Sequence, residues 1–313
     1  MSPVVFTITV TKETLENCAN SRLDVVLASV CDDLSRSAIV QRIKAGDSKV
    51  NTLVITKPKK EIFEGDVIEL TMKAPPVLEV TPHPVDFEVI AEEEDFLIIN
   101  KPAGLTVHHS STKPEEITLV HGLLHRYPDF SNFESNERPG IVHRLDKKTS
   151  GLLLVARNPQ AQAALSDLFR NRTIKKTYFA LVKGHMKQEG SITFPIGRDP
   201  FQRNRMSARP GAIAPRESRT DYEVVEYLDN DSFIKLDLHT GRTHQIRVHC
   251  AALRHGLIGD EVYGKKSQRI ARQALHAGRL SFTYKGKDYS FEAPLPGDMK
   301  NALDELRRGL SSC

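Results

Sequence analysis

The chain of 313 residues has no tryptophan, and aromatic residues make up only 6% of it. That leaves no extensive platform on which successive bases of a single strand could stack. No apolar run is long enough to span a bilayer, and the opening MSPVVFTITVTKETLENCAN lacks the basic-then-apolar layout of a secretory signal. A cytoplasmic protein with no membrane association is the expectation. The four cysteines, Cys18, Cys31, Cys250 and Cys313, are scattered without CxxC spacing, which points away from both a disulfide framework and a zinc site. GxxxxGK[ST] is absent, as is any convincing dinucleotide fingerprint. His121 and His125 lie one helical turn apart but have no evident third ligand, and His244, His249 and Cys250 do not share a helix face. No metal and no cofactor are therefore expected. The net charge of +4 permits a nucleic-acid partner without demanding one.

What is present is the composition of an ordinary globular protein, 39% hydrophobic and 27% charged, long enough for two domains of unequal size. Residues 1–19 read as an extension carrying one strand, Val4–Val10. From 20 to 73 the order is a helix from Arg22, a second helix Ser37–Ala45 capped by Ser35 and closed by Gly46, and a strand after the Gly65-Asp66 turn. Ile39, Val40 and Ile43 of the second helix face a core, while Arg36, Arg42 and Lys44 face solvent. Residues 74–86 contain four prolines in APPVLEVTPHP and serve as a stiff linker. The remainder, 87–313, alternates strands and helices: Phe96–Asn100, a helix at Thr118–Tyr127, Leu152–Ala156, a helix at Pro159–Arg172, Thr173–Val182, Thr220–Tyr227, Phe233–Leu238, a helix at Gln245–Leu253, and a closing hairpin Leu275–Phe282 with Lys287–Ala293. Six arginines between Gly197 and Arg219, including Arg203 and Arg205, suggest an irregular, mobile arm that follows phosphates.

The stretch with most chemistry is PGIVHRLDKKTSGLLLVA, residues 139–156. Its continuous apolar end suits a strand buried on both faces, and the polar loop before it carries Asp146 among Arg144, Lys147 and Lys148. Those cations favour the carboxylate form, and an ionised carboxylate on a loop anchored to a rigid strand can serve as a nucleophile toward a polyanionic substrate. Taken alone, the same residues also fit a turn or a helix cap beside a solvated charge run. The full string HRLD-x-x-TSG followed by Leu-Leu-Leu, however, resembles the central motif of the RluA-type pseudouridine synthases, RluC- and RluD-like members included. These enzymes isomerise uridine in structured RNA.

Further strings are similar to the same family in the same order: DFLIINKPAGLTVH, the Lys-x-Tyr stretch at 176–178, TGRTHQIRVH at 240–249 and GDxxYG at 259–264. The resemblance implies that Asp146 is the catalytic residue, that Tyr178 packs against the target base and that Arg247 pairs with the carboxylate. Arg144 and Thr149 would shape the loop and meet the flipped nucleotide. Residues 20–73 resemble the small RNA-binding domain named after ribosomal protein S-four, which implies RNA contacts by Arg36, Arg42, Lys44 and Lys49. An S-four domain ahead of such a catalytic domain points to large-subunit ribosomal RNA, or its assembly particle, as substrate; a monomeric enzyme is the expectation. The implied fold is α+β: a mixed, largely antiparallel central sheet with flanking helices, preceded by a small α/β RNA-binding domain. A non-catalytic RNA-binding or ribosome-assembly protein and a synthase acting on transfer RNA are the alternatives. An aspartate-dependent hydrolase lacks any metal or phosphate-loop pattern.

Overall fold

The computed structural model describes residues 4–31, 34, 36–72, 80–109, 115–133, 138–202 and 205–309. The chain divides into two units, Met1–Val77 and Leu78–Cys313.

In the small unit, β1 (Val4–Thr9) is followed by α1 (Lys12–Glu16), α2 (Leu23–Val30) and α3 (Arg36–Lys44). The strands β2 (Ser48–Val50), β3 (Leu53–Val54) and β4 (Val67–Met72) complete it. The sheet order is β1-β4-β2-β3, all antiparallel. The first residues are thus no separate extension, because β1 pairs along the whole of β4 from Val4–Met72 to Thr9–Val67. Helix periodicity buries Leu23, Val26 and Leu27 of α2 against Ile39 and Ile43 of α3, and this core is shared with Ile68 and Leu70 of β4. The Ser35 cap falls outside the described residues.

The large unit opens on a packed segment. Val80 is buried, and the His83 N–H donates to the His121 carbonyl at 3.2 Å, so this end of the proline-rich stretch belongs to the unit's core rather than to a free linker. The chain then forms β5 (Glu88–Glu92), β6 (Phe96–Lys101), α4 (Leu119–Arg126), β7 (Ser150–Ala156), α5 (Pro159–Arg170), β8 (Lys175–Lys183) and β9 (Glu189–Ile192). Next come β10 (Ile196–Arg198), β11 (Met206–Ser207), β12 (Ile213–Arg216), β13 (Thr220–Tyr227), β14 (Asp231–Leu238), α6 (Gln245–Ala252), β15 (Leu275–Tyr284), β16 (Lys287–Glu292) and α7 (Gly297–Arg307). None of the described helices is long and apolar enough to cross a membrane.

A nine-stranded sheet runs β5-β6-β7-β15-β8-β14-β13-β9, with β16 paired to the far end of β15. Its pairs are antiparallel except β7 with β15, where Ser150 and Gly151 face His276 and Ala277 in parallel register. The apolar run in β7 is explained by its central place. Alternate side chains feed two cores, Leu153 and Val155 on one face and Leu152, Leu154 and Ala156 on the other. Helices α4 and α6 cover the first face, while α5 and the β15–β16 hairpin cover the second. Each fully buried leucine here contributes about 1.5–3 kcal/mol relative to exposure.

The segment from 197 to 219 differs from the sequence expectation of an irregular arm. Strands β10, β11 and β12 form their own three-stranded antiparallel sheet. Strands of two to four residues are too short to show a period of two in sequence, so the pairing is invisible before folding.

Candidate active site

Asp146 lies in the loop that delivers the chain to β7. Three hydrogen bonds hold the Asp146 and Lys147 carbonyls of that loop. The Thr149 N–H donates to Asp146 O at 3.0 Å, the Gly104 N–H donates to Lys147 O at 2.8 Å, and Nζ of Lys101 donates to Lys147 O at 3.2 Å. Lys101 is fully buried and also donates to the carbonyls of Pro102 and Leu105 at 2.7 and 2.9 Å. Burial, helped by the charge of Arg272, pushes its amine down to about 7, while Asp146 opposes the shift. A second buried cation, Arg272, donates through Nη1 to Lys148 O at 3.2 Å and pairs with Asp298 at 2.6 Å. Gly151 then has φ +113°, and a Cβ there would stand 2.2 Å from Ala277 O, so only glycine lets β7 pair with β15 immediately after this loop.

Arg247 arrives from α6. The helix is set by the preceding loop, where the buried Gln245 side chain makes four bonds. Its Oε1 accepts from Thr240 Oγ1 and Arg242 N at 2.7 and 3.0 Å, and its Nε2 donates to Arg219 O and Thr220 Oγ1 at 3.0 and 2.9 Å. His244, at φ +57°, turns the chain into the helix. His249 is spent on structure, bonding Thr220 Oγ1 at 2.9 Å and Phe194 O at 3.0 Å. His121 likewise caps α4, with Nδ1 accepting the Thr118 N–H at 3.0 Å.

The Arg247 guanidinium bridges two carboxylates. Nη1 donates to Asp146 Oδ2 at 3.1 Å, while Nε and Nη2 grip Asp260 Oδ2 and Oδ1 at 2.7 and 2.9 Å. Burial works against the charge on Arg247, but the hydrogen bonds and charge of Asp260, together with Asp146, outweigh it and raise its pKa. For Asp260, burial is likewise outweighed by Arg247 and by the N–H groups of Val262 and Tyr263, so its carboxyl lies below the ordinary range. Charge-assisted bidentate pairing of this kind fixes orientation as well as charge. His244 Nε2 lies 3.9 Å from Asp146 Oδ2.

A cavity of about 480 Å³ opens over these groups. Among the described residues that line it, Asp146 is the single carboxylate, beside Arg144, Arg170, Arg172, Lys176, Arg242 and Arg247. Tyr178 of β8 is buried in its wall, and burial together with the charge of Asp146 raises its phenol above the ordinary value. Beside it, His143 stacks on Phe169 with centroids 4.3 Å apart and accepts the Leu154 N–H at 2.8 Å. An accepting Nε2 is an unprotonated one, and burial with the neighbouring Lys176 pushes this imidazole down to about 3.

Of the residues named from sequence, Asp146, Tyr178, Arg247, Arg144 and Thr149 all line this one cavity. Thr149 is only 2% exposed, and its hydroxyl accepts from Gln273 Nε2 at 3.3 Å, so it braces the loop. Arg144 is exposed, and its Nη1 lies 3.0 Å from His108 Nε2. Arg205 lies against the ring of Tyr263, and Arg203 falls outside the described residues. In the small unit, Arg36 and Arg22 both grip the buried Asp24, at 2.7 and 2.9 Å. Arg42 donates to Thr71 O at 3.2 Å, Lys49 stands 3.7 Å from Glu69, and Lys44 is exposed.

The RNA pseudouridylate synthase family model matches residues 95–252, a span that contains Asp146, Tyr178 and Arg247. The uncharacterized RNA pseudouridine synthase YlyB of Bacillus subtilis is 39% identical over 300 residues, covering 94% of this chain and 96% of that protein. This chain belongs to the RNA pseudouridylate synthase family. It is an RNA pseudouridine synthase, an isomerase. The ribosomal large subunit pseudouridine synthase D of Escherichia coli is 35% identical over 308 residues, 93% of this chain and 92% of that one. Among solved structures, the human RNA pseudouridylate synthase domain containing 1 superposes with a TM-score of 0.56 at 30% identity, over 71% of this chain and 86% of the other.

Sequence reasoning about the synthase left Asp260, Tyr263, Lys101 and Arg272 without roles. The GDxxYG string holds the first two and was the available signal. Lys101 stands at the end of β6, where nothing local in the sequence marks a lysine as buried.

Proposed function

We propose that this synthase converts specific uridines of large-subunit ribosomal RNA to pseudouridine, with Asp146 as the catalytic carboxylate. The observation that carries this reading is the Asp146 carboxylate, held by Arg247 in a cavity whose other charged walls, among the described residues, are cationic. The relatives named for the ribosomal large subunit support the choice of RNA.

The cationic rim receives the phosphates that flank a flipped nucleotide, and the cavity receives its base. A volume of about 480 Å³ falls within the ordinary range of small-ligand sites. In the reaction the bond from N1 to C1′ breaks, a bond from C5 to C1′ forms, C5 loses its proton and N1 gains one. Three routes make the same demand on Asp146: attack on C6, attack on C1′, or removal of the C2′ proton. Arg247 keeps the carboxylate aimed. Tyr178, a neutral phenol, packs on the uracil and donates a hydrogen bond. Arg144 and Arg205 contact the RNA, and the loop braced by Thr149 frames the nucleotide. The small unit acts as an S-four-type RNA-binding domain, using Lys44, Arg42, Arg36 and Lys49 on the backbone of free RNA or an assembly particle. The reading includes a monomeric enzyme acting in the cytoplasm.

The test is to map pseudouridines by chemical derivatisation and primer extension in ribosomal RNA from cells with and without the gene. Specific sites should vanish on deletion and return with the wild-type gene but not with Asp146→Asn. Unchanged ribosomal RNA with sites lost from transfer RNA would overturn the substrate assignment, and restoration by Asp146→Asn would overturn the role of the carboxylate.

A further inference from the structure

We infer that Tyr263 is a positioning residue that couples the β10–β11 hairpin, which carries Met206 and Arg205, to the Asp146 carboxylate, so that RNA seated on the hairpin sets the geometry of the reacting group. This rests on the reading of Asp146 as the catalytic carboxylate. Tyr263 is contacted from two sides of the molecule. On the hairpin side, the Met206 N–H donates to its hydroxyl at 2.8 Å, and the Arg205 guanidinium lies 5.0 Å from its ring centroid. On the catalytic side, the Arg247 guanidinium lies 5.1 Å from the same centroid, and His244 Nδ1 lies 2.9 Å from the same hydroxyl. Both catalytic-side partners face Asp146, Arg247 at 3.1 Å and His244 at 3.9 Å. One side chain therefore joins Arg205 and Met206 to Arg247, which bonds the carboxylate, and to His244 beside it.

The described residues of the hairpin are tied to one another by hydrogen bonds. Its tip is closed by Asp199, whose Oδ1 accepts the N–H groups of Phe201 and Gln202 at 2.9 and 3.1 Å. Its base is closed by the Asp199 N–H to Arg205 O and the Arg205 N–H to Gln202 O, both 3.0 Å. Phe201 at the tip is 93% exposed. Among the described residues Arg205 has no carboxylate within ion-pair distance, so the tyrosine ring is the partner a phosphate would compete with. A cation–π contact at a surface is weak enough for a phosphate to compete with it. Arg205 is then both an RNA contact and one end of the link.

The experiment separates binding from chemistry with an unmodified large-subunit ribosomal RNA transcript, reading dissociation constants by titration and single-turnover rates at saturating enzyme. Tyr263→Phe keeps the ring and loses the bonds to Met206 and His244. It should slow the single-turnover rate about tenfold with the RNA dissociation constant unchanged. Arg205→Gln should weaken binding and also slow the saturated rate, and that second effect should disappear in a Tyr263→Leu background. Should Tyr263→Leu fail to fold by thermal melting, the same cycle is run with Tyr263→Phe, where the loss on the rate should be less than the product of the single losses. A Tyr263→Phe rate equal to wild type, or Arg205→Gln acting on affinity alone and independently of residue 263, would overturn the link. Activity in Asp146→Asn would instead remove the reading beneath it, and the two failures are distinguishable.

Discussion

Arg247 reaches Asp146 through Nη1 alone, at 3.1 Å, because Nε and Nη2 are committed to Asp260. The planar fork thus has one rigid anchor and one working contact. Lysine, with a single point of charge, cannot hold both carboxylates in that geometry. Arg247→Lys should lower the single-turnover rate by about a hundredfold, near 2.7 kcal/mol, with RNA affinity little changed. Rapid-quench kinetics and a binding titration on the same RNA check the split.

Asp260 has no exposed surface and neutralises a buried guanidinium. Removing its charge leaves Arg247 buried and under-paired, so Asp260→Asn should destabilise the large unit by about 3 kcal/mol. The double replacement Asp260→Leu with Arg247→Met should regain much of that stability without regaining activity. Denaturant melts compared with product formation distinguish the structural share from the catalytic one.

Gly151→Ala tests how tightly the Asp146 loop is tied to the sheet. The new methyl would meet Ala277 O at 2.2 Å, on a backbone at φ +113°. Strain and overpacking together should cost about 3 kcal/mol. A residual displacement near 1 Å at Asp146 should lower the rate about a hundredfold even in the folded fraction. Chemical denaturation and single-turnover assays measure the two losses separately.

His143 makes stability depend on pH. Its folded pKa, about 3, lies below its ordinary 6.5, so the folded state resists a proton that the unfolded chain accepts. The stabilisation is complete above pH 6.5 and is lost as pH falls from 6.5 toward 3. The slope from this group is at most about 1.4 kcal/mol per pH unit. His108, pushed down to about 4 by burial and by Arg144 and Arg138, acts in the same direction. Unfolding free energies between pH 6.5 and 5 should fall more steeply for wild type than for His143→Gln, and equal slopes would refute the assignment.

The sequence by itself determined a good deal. The apolar run 152–156 suits a doubly buried strand, and β7 is buried throughout. The strings around Asp146, Tyr178 and Arg247 were specific enough to select the residues that the fold brings to one cavity. The central sheet and its helices were legible because periods of 2 and 3.6 are local properties.

The tertiary structure decided what depends on distance. Asp146, Arg247 and Asp260 belong to segments separated by up to 114 positions, and no local pattern says that one guanidinium serves both acids. Lys101 and Arg272 became buried clamps on a loop only when the sheet closed over them, since burial of a cation is a property of its surroundings. The short strands at 196–216 and the pairing of β1 with β4 likewise depend on partners supplied by other parts of the chain. Long-range pairing also put Tyr263 between the hairpin and the carboxylate, a place its own neighbours in sequence do not reveal.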